Sequence, residues 1–262
     1  MMAATEHDTV YWKYEYDVAD LYLRPLLERW GIPPQGLSVL DVGCAEGGGL
    51  CALHDRGADC VGFDIDEKRV LTAQALQGKR TIELRTGNLY SNDLPFSDRR
   101  FDLVTLHDVF EHLDDKDTMI KKLGGYLKPA GKLLITFPPF YSAYGGHQQH
   151  LQAWYAKLPF FHLVPLSMSV VAPRIKDIPP QVVEEVQKLR RLKMGMRSFE
   201  MIVRSSDLLI ERRQAYLISP NHIRFGLRPV EADLLSRIPI LREFICSGVV
   251  YLLGLASEPH ES

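Results

Sequence analysis

Residues 37–49, Leu-Ser-Val-Leu-Asp-Val-Gly-Cys-Ala-Glu-Gly-Gly-Gly, decide the fold class of this chain. The apolar side chains around Leu40 predict a short buried strand, and a helical pattern begins at Leu50. The glycine-rich turn between them lets the backbone approach a ligand where a Cβ atom would collide. The unsatisfied N–H groups of the helix point to the same place. The turn is not a complete G-x-G-x-x-G, so alone it indicates a nucleotide-type cofactor only weakly.

Four further blocks follow at matching spacings. Cys60–Asp66 predicts a second strand whose acid lies about twenty residues after the turn, where an α/β cofactor fold places a carboxylate for ribose hydroxyls. A third strand closes at residues 85–89, a fourth spans 101–113, and a turn with a fifth strand spans 127–139. This alternation of strands and helices predicts a parallel sheet.

The five blocks, in this order, resemble the class I S-adenosylmethionine-dependent methyltransferases over about residues 37–140. The resemblance implies an α/β, Rossmann-like fold with a seven-stranded, mostly parallel sheet, an antiparallel edge hairpin and a lid insertion. We expect an N-terminal helical segment (1–36), an S-adenosylmethionine-binding core (37–140), a lid or acceptor insertion (141–205), and the edge hairpin with a second insertion (206–262). Residues 10–30 are predicted to be helical, with a kink or break at Pro25.

Composition agrees with a cytoplasmic enzyme. The net charge of −2 gives no field suited to nucleic acid. The four cysteines lack metal-ligand spacing and predict free buried thiols in a reducing compartment. No signal-peptide pattern is visible at the N-terminus, and no apolar run reaches the ~18 residues of a membrane span. The sequence does not define an oligomeric state.

The resemblance assigns the cofactor contacts of the glycine turn and of the second strand. Asp41 is expected to orient the turn or to reach the ammonium group of S-adenosylmethionine. Asp64 is expected to accept both ribose hydroxyls, because a carboxylate offers two acceptor oxygens. Asp66 is more simply the cap of the next helix. The turn itself contributes Gly43, Ala45 and Gly47.

The adenine contacts are expected from three residues further along. Ile65 would lie against the adenine face, and Leu89 would give a backbone contact at its edge. Asn88 stands where the resembled family usually has an Asp that accepts from the adenine amine; its amide oxygen can still accept. His107, at the end of the fourth strand, could contact either the cofactor or the acceptor.

A metal site is considered at Asp108, Glu111 and His112. This acid-x-x-Glu-His pattern resembles the ubiquinone-pathway O-methyltransferases, where it contributes a divalent-cation site. Side chains at i, i+3 and i+4 share a face of a helical turn, so the three could converge. Carboxylates suit Mg²⁺, but imidazole does not. Glu-His is also common at this point in metal-free class I enzymes, and we favour no metal.

The acceptor is expected at residues 141–150, Tyr-Ser-Ala-Tyr-Gly-Gly-His-Gln-Gln-His. We predict that His147 faces the transferred methyl and acts as general base, with His107 and His150 as further catalytic candidates. The alternative is a turn whose histidines are merely exposed. Residues 221–228 (Asn221, His222, Arg224 and Arg228) are lesser acceptor-side candidates.

An apolar run at 158–172 and a basic run at 188–197 suggest a lipid-like acceptor or peripheral membrane contact. An insertion that buries its own core behind a solvated basic face explains the same pattern equally well. The favoured function is methyl transfer from S-adenosylmethionine to a small-molecule or lipid-like acceptor, most simply at oxygen.

Two alternatives stay open. A non-catalytic S-adenosylmethionine-binding module would share the cofactor residues and lack turnover. A nicotinamide-dependent dehydrogenase also uses a glycine turn and a second-strand acid, but leaves the fifth-strand and Glu-His blocks unexplained. A nucleic-acid base methyltransferase is disfavoured, because Phe137-Pro-Pro-Phe140 follows the fifth strand and carries no acceptor for a base amine.

Overall fold

A mixed sheet forms the centre of the protein. The structure is a computed structural model that describes residues 4–147, 157–163 and 180–256. The described part contains eight strands in the order β3-β2-β1-β4-β5-β8-β6-β7. Their bounds are β1 Ser38–Val42, β2 Asp59–Asp64, β3 Glu83–Thr86, β4 Phe101–His107, β5 Leu127–Phe137, β6 Leu208–Ile218, β7 Val230–Glu231 and β8 Gly248–Leu255.

Strand pairing confirms the predicted topology. Strands β1 to β5 pair in parallel, β8 runs antiparallel to β5, and β6 runs antiparallel to β8. The sheet has one strand more than the expected seven, because Val230–Glu231 in the second insertion pairs with the end of β6. Two residues after Pro229 are too few to give the alternating pattern by which strands are predicted.

Helices cover both faces of the sheet. The α-helices are α1 Glu6–Val18, α2 Arg24–Arg29, α3 Gly48–His54, α4 Glu67–Leu76, α5 Lys116–Gly124, α6 Pro180–Leu192, α7 Met196–Arg204 and α8 Pro239–Ile245. A π-helical turn, Ala19–Leu23, joins α1 to α2 directly before Pro25. Proline has no N–H to donate to the preceding turn, so the predicted break takes the form of this wider turn.

Two apolar clusters fill the space between sheet and helices. One includes Leu27, Leu50 and Cys60 and lies against the N-terminal helices. The other includes Phe110 and Tyr251 and extends to α7, whose Phe199 is fully buried. The last part of the expected insertion therefore packs into the main core. All four cysteines are buried and unpaired, as predicted.

The carboxyl ends of β1, β2, β4 and β5 meet at one edge of the sheet, where ligands bind in open α/β folds. None of the helices in the described ranges combines the length and apolarity needed to span a bilayer.

Candidate active site

The glycine turn after β1 is held open by its backbone geometry. Gly43, Ala45 and Gly47 all have positive φ values, of 80°, 49° and 78°. The N–H groups of Gly43 and Cys44 both donate to the carbonyl oxygen of Phe63, at 2.8 and 3.1 Å. A Cβ on Gly43 would lie 2.5 Å from a methyl of Val109. Glycine is therefore required at position 43 by both conformation and space.

Asp64 lies at the end of β2 and is fastened to the turn. One carboxylate oxygen accepts from the N–H of Ala45 and the other from the N–H of Asp66, both at 2.9 Å. Each oxygen has a second lone pair, so the side chain can still accept hydroxyl groups from a ligand. Asp66 caps α4 by accepting from Lys68 at 2.9 Å, as predicted.

Helix α1 forms one wall of a cavity of about 180 Å³ above this turn. This wall was not predicted from the sequence, although its residues are spaced as one face of a helix. It faces Asp41 and Asp64 across the cavity, and Arg69 of α4 completes the rim. The α1 residues that line the cavity are Tyr11, Tyr14, Glu15 and Val18.

The charged lining of this cavity is mainly acidic, with Glu15, Asp41, Asp64 and Asp108 against Arg69. Burial raises the pKa of Asp41, whose Oδ1 accepts from Thr105 Oγ1 at 2.7 Å. Burial, with Glu46 nearby, raises the pKa of Glu15 well above its usual range. The Arg69 guanidinium is bound to Glu46, at 2.6 and 3.0 Å. A cationic ligand would complement these carboxyl groups, and a polyanionic one would not.

A second cavity adjoins the first. Its wall is mostly apolar. The two cavities share six lining residues, of which Val18 and Leu23 are apolar and the other four are His107, Asp108, Thr136 and Asn221. The apolar lining of the second cavity comes from the π-helical turn, α2, β5 and the two antiparallel strands, and includes Tyr22, Leu26, Phe137, Pro138, Tyr216, Val249 and Val250.

The four shared residues other than Val18 and Leu23 are joined by side-chain hydrogen bonds. Asp108 has a φ of +52°, which turns the chain sharply after β4. Its carboxylate accepts from Thr136 Oγ1 at 3.3 Å and from Asn221 Nδ2 at 2.5 Å. The Nδ1 atom of His107 lies 3.5 Å from the same Thr136 hydroxyl. The imidazole thus stands between a cavity lined by acids and a cavity lined by apolar side chains.

Comparison with known proteins assigns this architecture to a family. The family described as "Methyltransferase domain" matches residues 40–135, from β1 to β5. Strands β2, β3 and β4, the glycine turn and Asp64 fall within that range, together with most of β1 and β5. The chain carries a methyltransferase domain over residues 40–135.

The curated relatives include methyltransferases of different acceptors. A ubiquinone biosynthesis O-methyltransferase of Pseudomonas fluorescens is 30% identical over 136 residues, which cover 48% of this chain and 56% of that protein. Phosphoethanolamine N-methyltransferase 1 of Zea mays is 30% identical over 116 residues, 43% of this chain and 23% of that protein. The matched segment thus spans at most about half of these relatives.

Solved structures share the fold over nearly the whole chain. Magnesium protoporphyrin IX methyltransferase of Synechocystis, with S-adenosylhomocysteine bound, has a TM-score of 0.52 at 16% identity. The superposition covers 97% of this chain and 89% of that protein. The plantazolicin methyltransferase, in complex with S-adenosylhomocysteine and a desmethyl-plantazolicin analogue, has a TM-score of 0.56 at 11% identity. Here the superposition covers 96% of this chain and 90% of that protein.

The predicted metal residues of the methyltransferase domain are not brought together as a trio. Asp108 is bound to Thr136 and Asn221. Instead, ligand atoms of Glu111, His112 and His147 lie within 4.8 Å of one another. Two imidazoles and one carboxylate are a poor donor set for Mg²⁺, which prefers oxygen ligands. The arrangement does not fit the Mg²⁺ site considered from the sequence.

Glu111 is a buried acid without a hydrogen-bond partner for either carboxylate oxygen among the described residues. Burial and the nearby Asp108 raise its pKa well above the usual range. Burial and the neighbouring His147 lower the pKa of His112 to about 4. His147 Nδ1 lies 3.2 Å from Glu185 of α6. His147 does not line either cavity, so its role as a base stays a prediction, while His107 lines both.

The residues predicted to contact adenine differ in exposure. Ile65 is 66% exposed. The Oδ1 atom of Asn88 accepts from the N–H of Tyr90 at 2.9 Å, and Leu89 is buried. Neither residue lines the acidic cavity, and their roles remain predictions. His150 lies outside the described residues.

Proposed function

We propose that this methyltransferase domain transfers a methyl group from S-adenosylmethionine to a hydroxyl of a small-molecule or lipid-like acceptor. The cofactor would occupy the acidic cavity between α1 and the glycine turn, and the acceptor would occupy the apolar cavity beside it. The observation that carries the proposal is that the two cavities meet at His107 and share its hydrogen-bonded neighbours.

The acidic cavity suits the charge of the donor. S-adenosylmethionine carries a sulfonium and an ammonium group, and Asp41, Asp64 and Glu15 present carboxyl groups to that space. A nicotinamide dinucleotide would bring a pyrophosphate to the same carboxyl groups, which disfavours the dehydrogenase alternative. Both oxygens of Asp64 keep a lone pair for the ribose hydroxyls, which the nucleoside part of the cofactor requires.

The donor supplies an already activated methyl group when bound, so the protein's main task is alignment, which can supply ~7–11 kcal/mol. A hydroxyl acceptor also needs a base, and we assign this role to His107. Thr136 and Asp108 would fix the orientation of the imidazole beside the acceptor cavity. Among the curated relatives, the ubiquinone biosynthesis O-methyltransferase supports transfer to oxygen.

The test is turnover, measured as S-adenosylhomocysteine formation with a panel of phenols, lipid quinone precursors, sugars and small acids. With a responsive acceptor, His107→Ala should lower kcat by about 10²–10⁴-fold. His147→Ala is the matched control, and it should retain most of the activity. Equal activity of wild type and His107→Ala would overturn the base assignment. A strong loss in His147→Ala alone would support the alternative base predicted from the sequence.

The non-catalytic alternative is separated by binding. If calorimetry detects S-adenosylhomocysteine while no acceptor in the panel is methylated, the binding-module interpretation is favoured. Binding of NAD⁺ but not of S-adenosylhomocysteine would contradict the proposed cofactor.

A further inference from the structure

Helix α8, Pro239–Ile245, has its polarity reversed relative to an ordinary surface helix. Its charged residues, Arg242 and Glu243, are buried, with 7% and 9% of their surface exposed. Its apolar residue Ile240 is 76% exposed, and Leu241 and Phe244 also face outward. A surface helix of a globular protein normally turns its apolar stripe towards the core and its charges to water.

Hydrogen bonds fix this orientation. The guanidinium of Arg242 binds a carboxylate oxygen of Glu200 at 2.5 Å. The carboxylate of Glu243 accepts from the N–H groups of Met196 and Arg197, at 2.9 and 2.7 Å, where α7 begins. Rotating α8 to bury its apolar side would break these charge-assisted bonds and leave buried charges unpaired. The outward apolar side is therefore built into the fold.

The apolar surface continues into the residues before the helix. Leu234 is 74% exposed, and Ser236 is buried between exposed neighbours, so here too the polar side chain points inward. Six large apolar side chains are exposed within the eleven residues 234–244. We call them the apolar face: Leu234, Leu235, Ile238, Ile240, Leu241 and Phe244.

Within the apolar face the exposed charge is positive. Arg237 is exposed within it, and residues 234–244 contain no exposed acid. Of the acids just before it, Glu231 is paired with Arg29 at 2.9 Å, and Asp233 keeps its charge because its partner at 2.9 Å is the neutral amide of Gln214. A basic side chain among exposed apolar ones suits the headgroup region of an anionic membrane, where it can bind lipid phosphates.

The face is small for a protein interface and is joined to the proposed acceptor cavity. Stable interfaces take about 20–30 residues from each partner, more than this short segment offers. The same insertion begins at Ser219, Pro220 and Asn221, which line the apolar cavity. A bilayer in contact with the face would thus lie against the insertion that forms a wall of that cavity.

We propose that the apolar face docks on an anionic phospholipid bilayer. Its apolar side chains enter the boundary between headgroups and acyl chains, and Arg237 binds the lipid phosphates. This surface differs from the sequence-based candidates at 158–172 and 188–197, of which residues 164–172 lie outside the described residues. Docking does not depend on methyl transfer, so it is measured without cofactor or acceptor.

The experiment is flotation of the purified chain with vesicles of phosphatidylcholine alone or with phosphatidylglycerol. We expect binding to the anionic vesicles and a decrease of about tenfold or more in partitioning for Ile240→Ser, because the substitution removes one of the large apolar side chains that would leave water. Leu71→Ser is the matched control, because Leu71 is also exposed but lies on α4, beside the opposite edge of the sheet. It should bind like the wild type. Melting temperature and S-adenosylhomocysteine affinity report folding and the proposed cofactor site separately.

Three outcomes would overturn the proposal. The first is absence of binding to both vesicle types by a folded wild type, and the second is equal binding by wild type and Ile240→Ser. The third is a wild-type dimer in solution that Ile240→Ser dissociates, because the apolar face would then be covered by a second copy of the chain.

Discussion

The contact between α1 and α3 makes a sharp prediction at two adjacent glycines. A Cβ on Gly48 would lie 2.1 Å from the carbonyl oxygen of Trp12 and 2.9 Å from the N of Tyr16, so α1 would have to move. A Cβ on Gly49 would meet nothing closer than Ala19 Cβ at 3.9 Å. Gly48→Ala and Gly49→Ala are therefore the same chemical change in the same helix, with and without a backbone collision.

The expected energies follow from this difference. Replacing glycine by alanine inside a helix gains up to ~1 kcal/mol, so Gly49→Ala should be neutral or stabilising. Overpacking against backbone costs ~1–3 kcal/mol, so Gly48→Ala should be less stable than Gly49→Ala by about that amount. In a domain of this size, that is a difference of about 2–12 °C in melting temperature. Scanning calorimetry of both variants measures it directly.

The same substitution should reach the cofactor site. The N–H of Gly48 donates to Glu15 at 3.1 Å, and Glu15 lines the acidic cavity with its α1 neighbours. Displacing α1 should weaken S-adenosylhomocysteine binding in titration calorimetry; the wild type is the reference for affinity, because Gly49 itself lines the acidic cavity. Equal melting temperatures for the two variants, with wild-type affinity in Gly48→Ala, would refute the role given to α1.

Three further predictions concern buried acids. Asp64→Ala should lose most of its affinity for S-adenosylhomocysteine in calorimetry. Asp66→Ala should keep that affinity and lose only the helix cap, which lowers stability by ~1 kcal/mol. Equal affinities of the two variants would refute the ribose assignment. Because the pKa of Glu15 is raised, its carboxyl group must lose a proton to pair with a cationic ligand, so the affinity for S-adenosylmethionine should rise with pH. Glu15→Gln should bind S-adenosylmethionine more weakly and with a flatter pH dependence. An unchanged pH dependence in this variant would contradict the assignment. The raised pKa of Glu111 makes its ionised form unfavourable in the folded state, so its contribution to stability is lost as pH rises above the unfolded pKa of ~4.3. Glu111→Gln should thus raise the melting temperature at pH 7–8 and change it little at pH 4; the opposite trend would point to a charged, functional Glu111.

The sheet was predictable because its signals are local. Each parallel strand is a short apolar run next to a turn, and the glycine turn sits between β1 and α3 as its backbone requires. Asp66 as a cap and the π-helical turn before Pro25 follow equally local rules. The two-residue β7 could not be predicted, because its pairing with β6 depends on a distant part of the chain.

The candidate site was predictable only where it lies on the sheet. Asp41, Asp64 and His107 end strands, so their positions follow from the topology. The wall contributed by Tyr11, Tyr14 and Glu15 was missed, because nothing in α1 itself specifies that it packs across α3. Likewise Asp108 and Glu111 are close in sequence, but Asn221, over a hundred residues away, binds Asp108.

The most direct test of the account is a crystal structure of the chain with S-adenosylhomocysteine. We expect the ligand in the cavity between α1 and the glycine turn, with its ribose hydroxyls on Asp64 and its sulfur facing His107 and the apolar cavity. A ligand bound elsewhere, or bound with its sulfur turned away from His107, would contradict the account.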